Sequence, residues 1–238
     1  MSIATPKSAL IVAHGQPSDP QPPEIRLAAL ARQVATHLEG WELRSATIAA
    51  PGRLEKEVAA LPPGSALFPM FMADGWFVGR VLPKRLGDAR VEILPPLGFD
   101  PDLPALAAGL VRTHLAGASW PEAGSTLLLA AHGSARGPRA AQSARAFADQ
   151  LSTLMPGLAI VTGFVEEAPF VQDAARGLGP RAVCLPYFAL EGDHCRKDIP
   201  EALEKAGFHG TTLPPLGEAD AIPALIARAL ERPRTQPG

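Results

Sequence analysis

The chain has 238 residues, of which 47% are hydrophobic and 19% charged, with a formal net charge of −2. That is enough apolar material for one large domain or two of about 110 residues. The absence of a basic excess, with only 5% aromatics, argues against nucleic acid as a partner.

Two cysteines, Cys184 and Cys195, cannot form a disulfide framework. No apolar run approaches the roughly 18 residues that a membrane span needs. Met1 to Ser8 lacks the apolar core of a signal peptide. The expectation is a soluble cytoplasmic protein with no membrane partner. Its 26 prolines and 22 glycines mark many short connections.

In chain order, residues 9–13 form a short continuous apolar run that ends in His14-Gly15, as suits a strand buried on both faces of a parallel sheet. A helix is expected over 26–38, a strand over 44–48, a helix over 54–60, a strand over 66–71, a helix over 82–86, a strand over 91–94 and a helix over 104–114. Residues 116–124 read as a linker. The series then starts again: strand 127–131 ending in His132-Gly133, helix 140–154, strand 159–165, helix 170–178, strand 182–188, helix 199–206, strand 211–213 and helix 222–232, with a frayed tail over 232–238. Strand and helix alternate throughout, which predicts an α/β fold with mainly parallel four-stranded sheets covered by helices on both faces.

The second series is a copy of the first. Ser8-Ala-Leu-Ile-Val-Ala-His14-Gly15 matches Thr126-Leu-Leu-Leu-Ala-Ala-His132-Gly133, at 132 − 14 = 118. Leu67-Phe-Pro-Met-Phe71 matches Cys184-Leu-Pro-Tyr-Phe188, and Gly75 and Pro83 match Gly192 and Pro200, all at an offset of 117. Leu94-Pro-Pro-Leu-Gly98 recurs letter for letter as Leu213-Pro-Pro-Leu-Gly217. Such ordered matches over a period far longer than a solenoid repeat predict two homologous domains, 1–118 and 124–238.

Ligands of such folds sit beyond the carboxyl ends of the strands. There the second half carries His132-Gly-Ser134, Glu166-Glu167 and Glu191-Gly-Asp193-His194. Imidazoles and carboxylates are ligands for borderline divalent metals and can move protons near neutral pH. In the first half His14 is kept. At the same offsets, however, Glu166 and Glu167 align with Ile48 and Ala49, Asp193 and His194 with Trp76 and Phe77, and Ser134 with Gln16. A polar set in one half and an apolar set in the other suit a large, flat, partly apolar ligand.

At these residues the chain resembles the class II tetrapyrrole chelatases, the sirohydrochlorin cobalt- or ferrochelatases. The resemblance rests on Leu128-Leu-Ala-Ala-His132-Gly-Ser134, on Gly163-Phe-Val-Glu166-Glu-Ala-Pro169, and on Leu185 through Pro200 with its Gly192-x-His194-x-x-x-Asp198-Ile-Pro. The second half covers nearly the whole family domain, and the first half is a degenerate copy. The resemblance implies two α/β domains facing a central cleft and insertion of Co2+, Fe2+ or sometimes Ni2+ into sirohydrochlorin. The ion is then a substrate, and neither ATP nor a tightly bound cofactor is needed.

It also implies that His132 and His194 are the metal ligands and catalytic bases, assisted by Glu166 or Glu167. Ser134, Arg136, Arg139, Arg196 and Lys197 flank the motifs and could pair with the carboxylates of the macrocycle. Arg80 and Lys84 of the first half could do the same. Trp76 and Phe77 could pack on the ring face, Trp76 serving equally well as core. His14 is either a retained structural histidine or a further contact.

The expected partners are thus a tetrapyrrole and a divalent ion. With both halves in one chain a monomer suffices, and a homodimer stays open. A histidine phosphatase is disfavoured because Ala13 and Ala131, not arginines, precede the histidines. A nucleotide-binding enzyme is disfavoured because no glycine-rich phosphate loop follows the first strand. A metal or tetrapyrrole carrier on the same fold is the remaining alternative.

Overall fold

The computed structural model describes residues 7–135 and 137–233. Strands β1 (Lys7–Ala13), β2 (Trp41–Thr47), β3 (Ser65–Pro69) and β4 (Val91–Ile93) form a parallel sheet in the order β2-β1-β3-β4. Strands β5 (Thr126–Ala131), β6 (Ala159–Phe164), β7 (Ala182–Pro186) and β8 (Thr211–Thr212) repeat it in the order β6-β5-β7-β8. The two parallel sheets expected from the apolar runs are both present. β1 and β5 lie second in their sheets, paired on both sides, and Ala9–Ala13 and Leu127–Ala131 are buried throughout. This explains why they read as continuous rather than alternating apolar runs.

The helices are α1 (Gln21–Ala35), α2 (Arg53–Ala59), α3 (Leu82–Leu86), α4 (Leu103–Gly117), α5 (Arg139–Leu154), α6 (Val171–Ala175), α7 (Ile199–Ala206) and α8 (Ile222–Glu231). α1 starts at Gln21 rather than 26, because prolines in its first turn cost no hydrogen bond there. α6 is shorter than expected: Arg176 leaves helical geometry and Gly177 takes a positive φ of 72°. No helix of the described residues is long and apolar enough to cross a membrane.

Two π-helical turns beside the third strands have no counterpart in the sequence reading. A π-helical turn over Phe77–Val81 leads into α3, and another over His194–Asp198 leads into α7. In each, the N–H of the residue after the turn reaches back five positions: Leu82 to the Phe77 carbonyl and Ile199 to the His194 carbonyl. Pro83 and Pro200 follow directly, in the first turn of each α-helix. A proline ring clashes with the carbonyl four residues back, and a wider turn moves that carbonyl aside.

The chain packs as two compact units. Among the described residues, one contains 7–71, Trp76–Asp100 and 220–233; the other contains Met72–Gly75 and the described part of Pro101–Ala219. The repeat places its boundary at the linker, but packing places α8 in the first unit and α4 in the second. α8 lies against α1, and Arg232, just past its end, donates to both carboxylate oxygens of buried Asp100 at 2.7 and 3.0 Å. α4 lies against α5, where Arg112 donates to the Leu154 carbonyl at 2.6 Å and to Glu122 at 2.9 Å. In the first unit Leu10, Val12, Leu54, Leu67 and Leu82 pack between the sheet and helices α2 and α3. In the second, Leu128, Ala130, Val171, Cys184 and Ile199 do the same beside α6 and α7.

The repeated Leu-Pro-Pro-Leu-Gly segment has a structural task. Gly98 donates its N–H to the Phe71 carbonyl at 3.0 Å, and Gly217 donates to the Phe188 carbonyl at 2.9 Å. Each bond ties the end of the sheet to the loop after the third strand of its unit. A Cβ on Gly217 would lie 2.1 Å from the Ala189 carbonyl oxygen, so only glycine allows this approach.

Candidate metal centre

In the second sheet β5 is flanked by β6 and β7, so the chain leaves it in one direction and returns on the other side. The carboxyl ends of β5 and β7 therefore border a crevice at the point where the winding reverses, a natural ligand position. His132 directly follows β5. Glu166 lies just past β6. His194 opens the π-turn after β7, carried by the loop that Gly217 anchors.

These three side chains converge. One ligand atom from each of His132, Glu166 and His194 lies within 4.8 Å of the others, and this is the metal-competent group found among the described residues. The two imidazoles meet edge to face, with centroids 4.6 Å apart at 86°. His132 Nδ1 is 3.7 Å from Glu166 Oε2. The His132 and Glu166 side chains are 46% and 45% exposed, so an ion and a large ligand can reach them. Two imidazoles and one carboxylate make an open three-ligand set, the kind that leaves coordination positions for exchange.

Each imidazole is oriented through Nδ1. His132 Nδ1 lies 2.9 Å from the Gly133 carbonyl oxygen. A carbonyl only accepts, so this Nδ1 carries the proton and Nε2 keeps its lone pair. His194 Nδ1 lies 2.5 Å from Asp198 Oδ2, four residues on across the π-turn. The carboxylate fixes the same tautomer and makes Nε2 the donor for a metal. Asp198 received no role from the sequence. Its signal was the i, i+4 spacing in His194-x-x-x-Asp198, which places both side chains on one face of a helical turn.

The two adjacent glutamates do different things. The Glu166 N–H donates to the His132 carbonyl at 2.9 Å, extending the β5–β6 ladder one step and setting the Glu166 side chain beside the His132 ring. Glu167 Oε1 accepts the Ser134 N–H at 2.8 Å and braces the His132-Gly-Ser134 turn from beneath. Gly133 has φ +68°, and a Cβ there would lie 2.8 Å from Glu167 Cγ and 2.9 Å from Phe164 Cβ. Burial pushes the neighbouring Cys195 thiol up to about 11, so it is a neutral thiol at pH 7 and a poor ligand.

The first unit keeps this scaffold with different side chains. Ala49 donates its N–H to the His14 carbonyl at 2.9 Å, which makes Ala49, not Ile48, the counterpart of Glu166. The sequence alignment is thus corrected by one residue, because β1 pairs Ala13 with Thr47 whereas β5 pairs Ala131 with Phe164, an offset of 164 − 47 = 117. His14 Nδ1 contacts the Gly15 carbonyl at 2.7 Å, as His132 does its own glycine. Its ring meets Phe77 edge to face at 4.2 Å and 77°, where His132 meets His194. Val81 stands where Asp198 stands. The first copy thus retains one histidine and replaces the second histidine and both carboxylates with apolar groups.

Of the cations expected to face substrate, Arg196 lies 3.9 Å from Glu191 and 3.6 Å from Asp193, and Lys197 lies 3.7 Å from Asp193. Their charge is offset within their own loop. Arg139 is exposed at the start of α5, and Arg136 lies outside the described residues. Phe77 packs between His14, Trp76 and Phe71, whereas Trp76 is 67% exposed and is not core.

The CbiX family model matches residues 126–232. A structure of CbiX, described as the terminal enzyme for biosynthesis of siroheme in denitrifying bacteria, is 44% identical. It covers 96% of this chain and 100% of its own, with a TM-score of 0.87. SirB from Bacillus subtilis, solved with Fe3+, shares the fold at 16% identity, with 94% of each chain covered and a TM-score of 0.71. DR2241 from Deinococcus radiodurans, a multi-domain protein with structural similarity to chelatases, shares it at 20% identity. That match covers 96% of this chain and 56% of the other, with a TM-score of 0.69. No curated protein sequence matches the chain. On the identity and full-length coverage of the CbiX match, this chain belongs to the CbiX family of class II tetrapyrrole chelatases.

Proposed function

We propose that the chain inserts Co2+ or Fe2+, with Ni2+ as a further candidate, into sirohydrochlorin without ATP, using the His132–Glu166–His194 cluster of the second unit. The observation that carries this reading is the open three-ligand set at the winding reversal of the second sheet, with Nδ1 of each imidazole held against a carbonyl or carboxylate oxygen. The 44% identical CbiX structure, described as a siroheme biosynthetic enzyme, supports the same substrate class. The two free cysteines among the described residues accord with a reducing compartment, and we place the activity in the cytoplasm.

Insertion must move an ion from protein donors to pyrrole nitrogens and remove two pyrrole protons. The two events use the same lone pairs. While the ion is bound, Nε2 of His132 and of His194 are occupied. As each bond to the metal breaks, that Nε2 is released and can accept the proton displaced from a pyrrole nitrogen. Two imidazoles therefore account for two protons. Asp198 stabilises the imidazolium formed at His194, and Glu166 offsets the charge of the incoming ion and lies nearest the imidazolium formed at His132.

The test is an anaerobic absorbance time course with sirohydrochlorin and Co2+, then Fe2+, in large excess over protein and without nucleotide. The expected result is acceleration over the protein-free reaction through many turnovers. No acceleration, or a change that stops at one equivalent per chain, would contradict catalysis. The second of these outcomes would favour a carrier.

A further inference from the structure

The copy in the first unit lacks the metal-competent side chains of the second and carries a different set. An open groove there is lined by Trp76, Arg80, Val81, Lys84 and Arg85. Trp76, Arg80 and Lys84 follow one another at i, i+4 and i+8 through the π-turn and α3, so they share one face. At the constant offset of 117, Arg80 replaces Lys197 and Lys84 replaces Glu201. The second unit's version of this face is mixed in charge, with Lys197 beside Asp193 and Glu201 beside Lys205. The first unit's version is cationic and carries an exposed indole.

The three cations are not equivalent. Arg85 donates to both oxygens of Glu55 at 2.7 and 2.8 Å and to the Ile48 carbonyl at 2.6 Å, which engages all three of its nitrogens. The Arg85 guanidinium holds the Glu55 carboxyl below its ordinary range. Arg85 is therefore a wall of the groove. Arg80 and Lys84 are exposed and carry no ion pair or hydrogen bond among the described residues. An exposed indole beside two cations with no partner among the described residues recognises a flat apolar body edged with carboxylates.

We propose that the first copy has been converted from a metal site into a carboxylate reader. Trp76 supports the ring of a polycarboxylate macrocycle, and Arg80 and Lys84, rather than the internally paired Arg196 and Lys197, set its affinity. The assignment rests on the chelatase reading for the identity of the ligand, and on the groove alone for its chemical class.

The experiment measures binding of metal-free sirohydrochlorin, and of uroporphyrin as an eight-carboxylate probe, by quenching of protein fluorescence. It compares the wild type with Arg80→Gln/Lys84→Gln. A control of equal charge, Arg32→Gln/Lys56→Gln, removes two exposed cations from α1 and α2. The expected result is a roughly 10-fold or greater rise in Kd for the groove variant with a flatter salt dependence, against less than about 2-fold for the control. In the metal-insertion assay the same variant raises KM and leaves kcat within about 3-fold.

Equal Kd values for the groove variant and the control would overturn the proposal, even if the wild type turns over normally. A wild type that inserts no metal, with the Kd shift still present, would sink the chelatase reading and leave the carboxylate reader standing. An unfolded variant is not expected, since both side chains are exposed and unpaired; circular dichroism checks this.

Discussion

Replacing His194 with alanine lowers the rate of metal insertion by about 100-fold or more while macrocycle binding stays within about 3-fold of the wild type. The side chain supplies one of three converging ligand atoms and, by the mechanism above, the acceptor for one of two displaced protons. Loss of either role alone would be costly, and the variant loses both. Stability should change little, because the ring is partly exposed and contributes no buried core. His132→Ala should behave alike. Asp198→Asn should be milder, about 10-fold, because the amide can still accept the Nδ1–H but no longer offsets an imidazolium. Steady-state rates paired with fluorescence-quenching Kd values separate these effects. A normal kcat in His194→Ala would remove that residue from the mechanism.

Gly133→Ala should damage both fold and site. The residue sits at φ +68°, where an L side chain is strained by roughly 1–2 kcal/mol. Its Cβ would also meet Glu167 Cγ at 2.8 Å, Phe164 Cβ at 2.9 Å and Glu167 Oε1 at 3.0 Å. Relief requires moving the glutamate that braces the Ser134 N–H or the end of β6, adding roughly 1–3 kcal/mol. At about 2–4 °C per kcal/mol for a chain of this size, the melting temperature should fall by roughly 4–20 °C. Insertion should fall with it, because the displaced turn carries His132. Gly40→Ala separates the two causes: it has φ +74° with nothing within 4 Å of a built Cβ, so it shows the backbone cost alone. Equal melting temperatures for the two variants would mean that the contacts under Gly133 relax freely.

The chemistry of this fold was legible where backbone periodicity and residue type agree. Continuous apolar runs ending in His-Gly marked β1 and β5, and the repeat located β3, β7 and the two helices that carry Pro83 and Pro200 in their first turns. His132 and the Glu166-Glu167 pair were legible because they stand just past strand ends, and His194 because it lies in the loop after β7. The π-turns were not, because they arise from a hydrogen-bond shift before Pro83 and Pro200 that leaves no hydrophobic signature. Asp198 went unassigned with them, although its i, i+4 spacing from His194 was there to read.

The separate tasks of Glu166 and Glu167 were likewise beyond the sequence. Adjacent residues past a strand end point in different directions, and only the hydrogen bond from Glu166 to the His132 carbonyl shows which one faces the ring. The one-residue error in aligning Glu166 with Ile48 has the same origin, since strand pairing rather than letter matching fixes the correspondence. The exchange of α4 and α8 between the compact units leaves no trace in a repeat, which reports ancestry and not packing partners.

The most direct test of the central claim is a proton NMR spectrum of the protein loaded with Co2+, before macrocycle is added. If the second-unit cluster holds the ion through two Nε2 atoms, two exchangeable imidazole Nδ1–H signals will be strongly shifted by the paramagnetic metal. Both will vanish in His132→Ala/His194→Ala. Shifted imidazole signals that persist in that double variant would place the ion elsewhere and contradict the account.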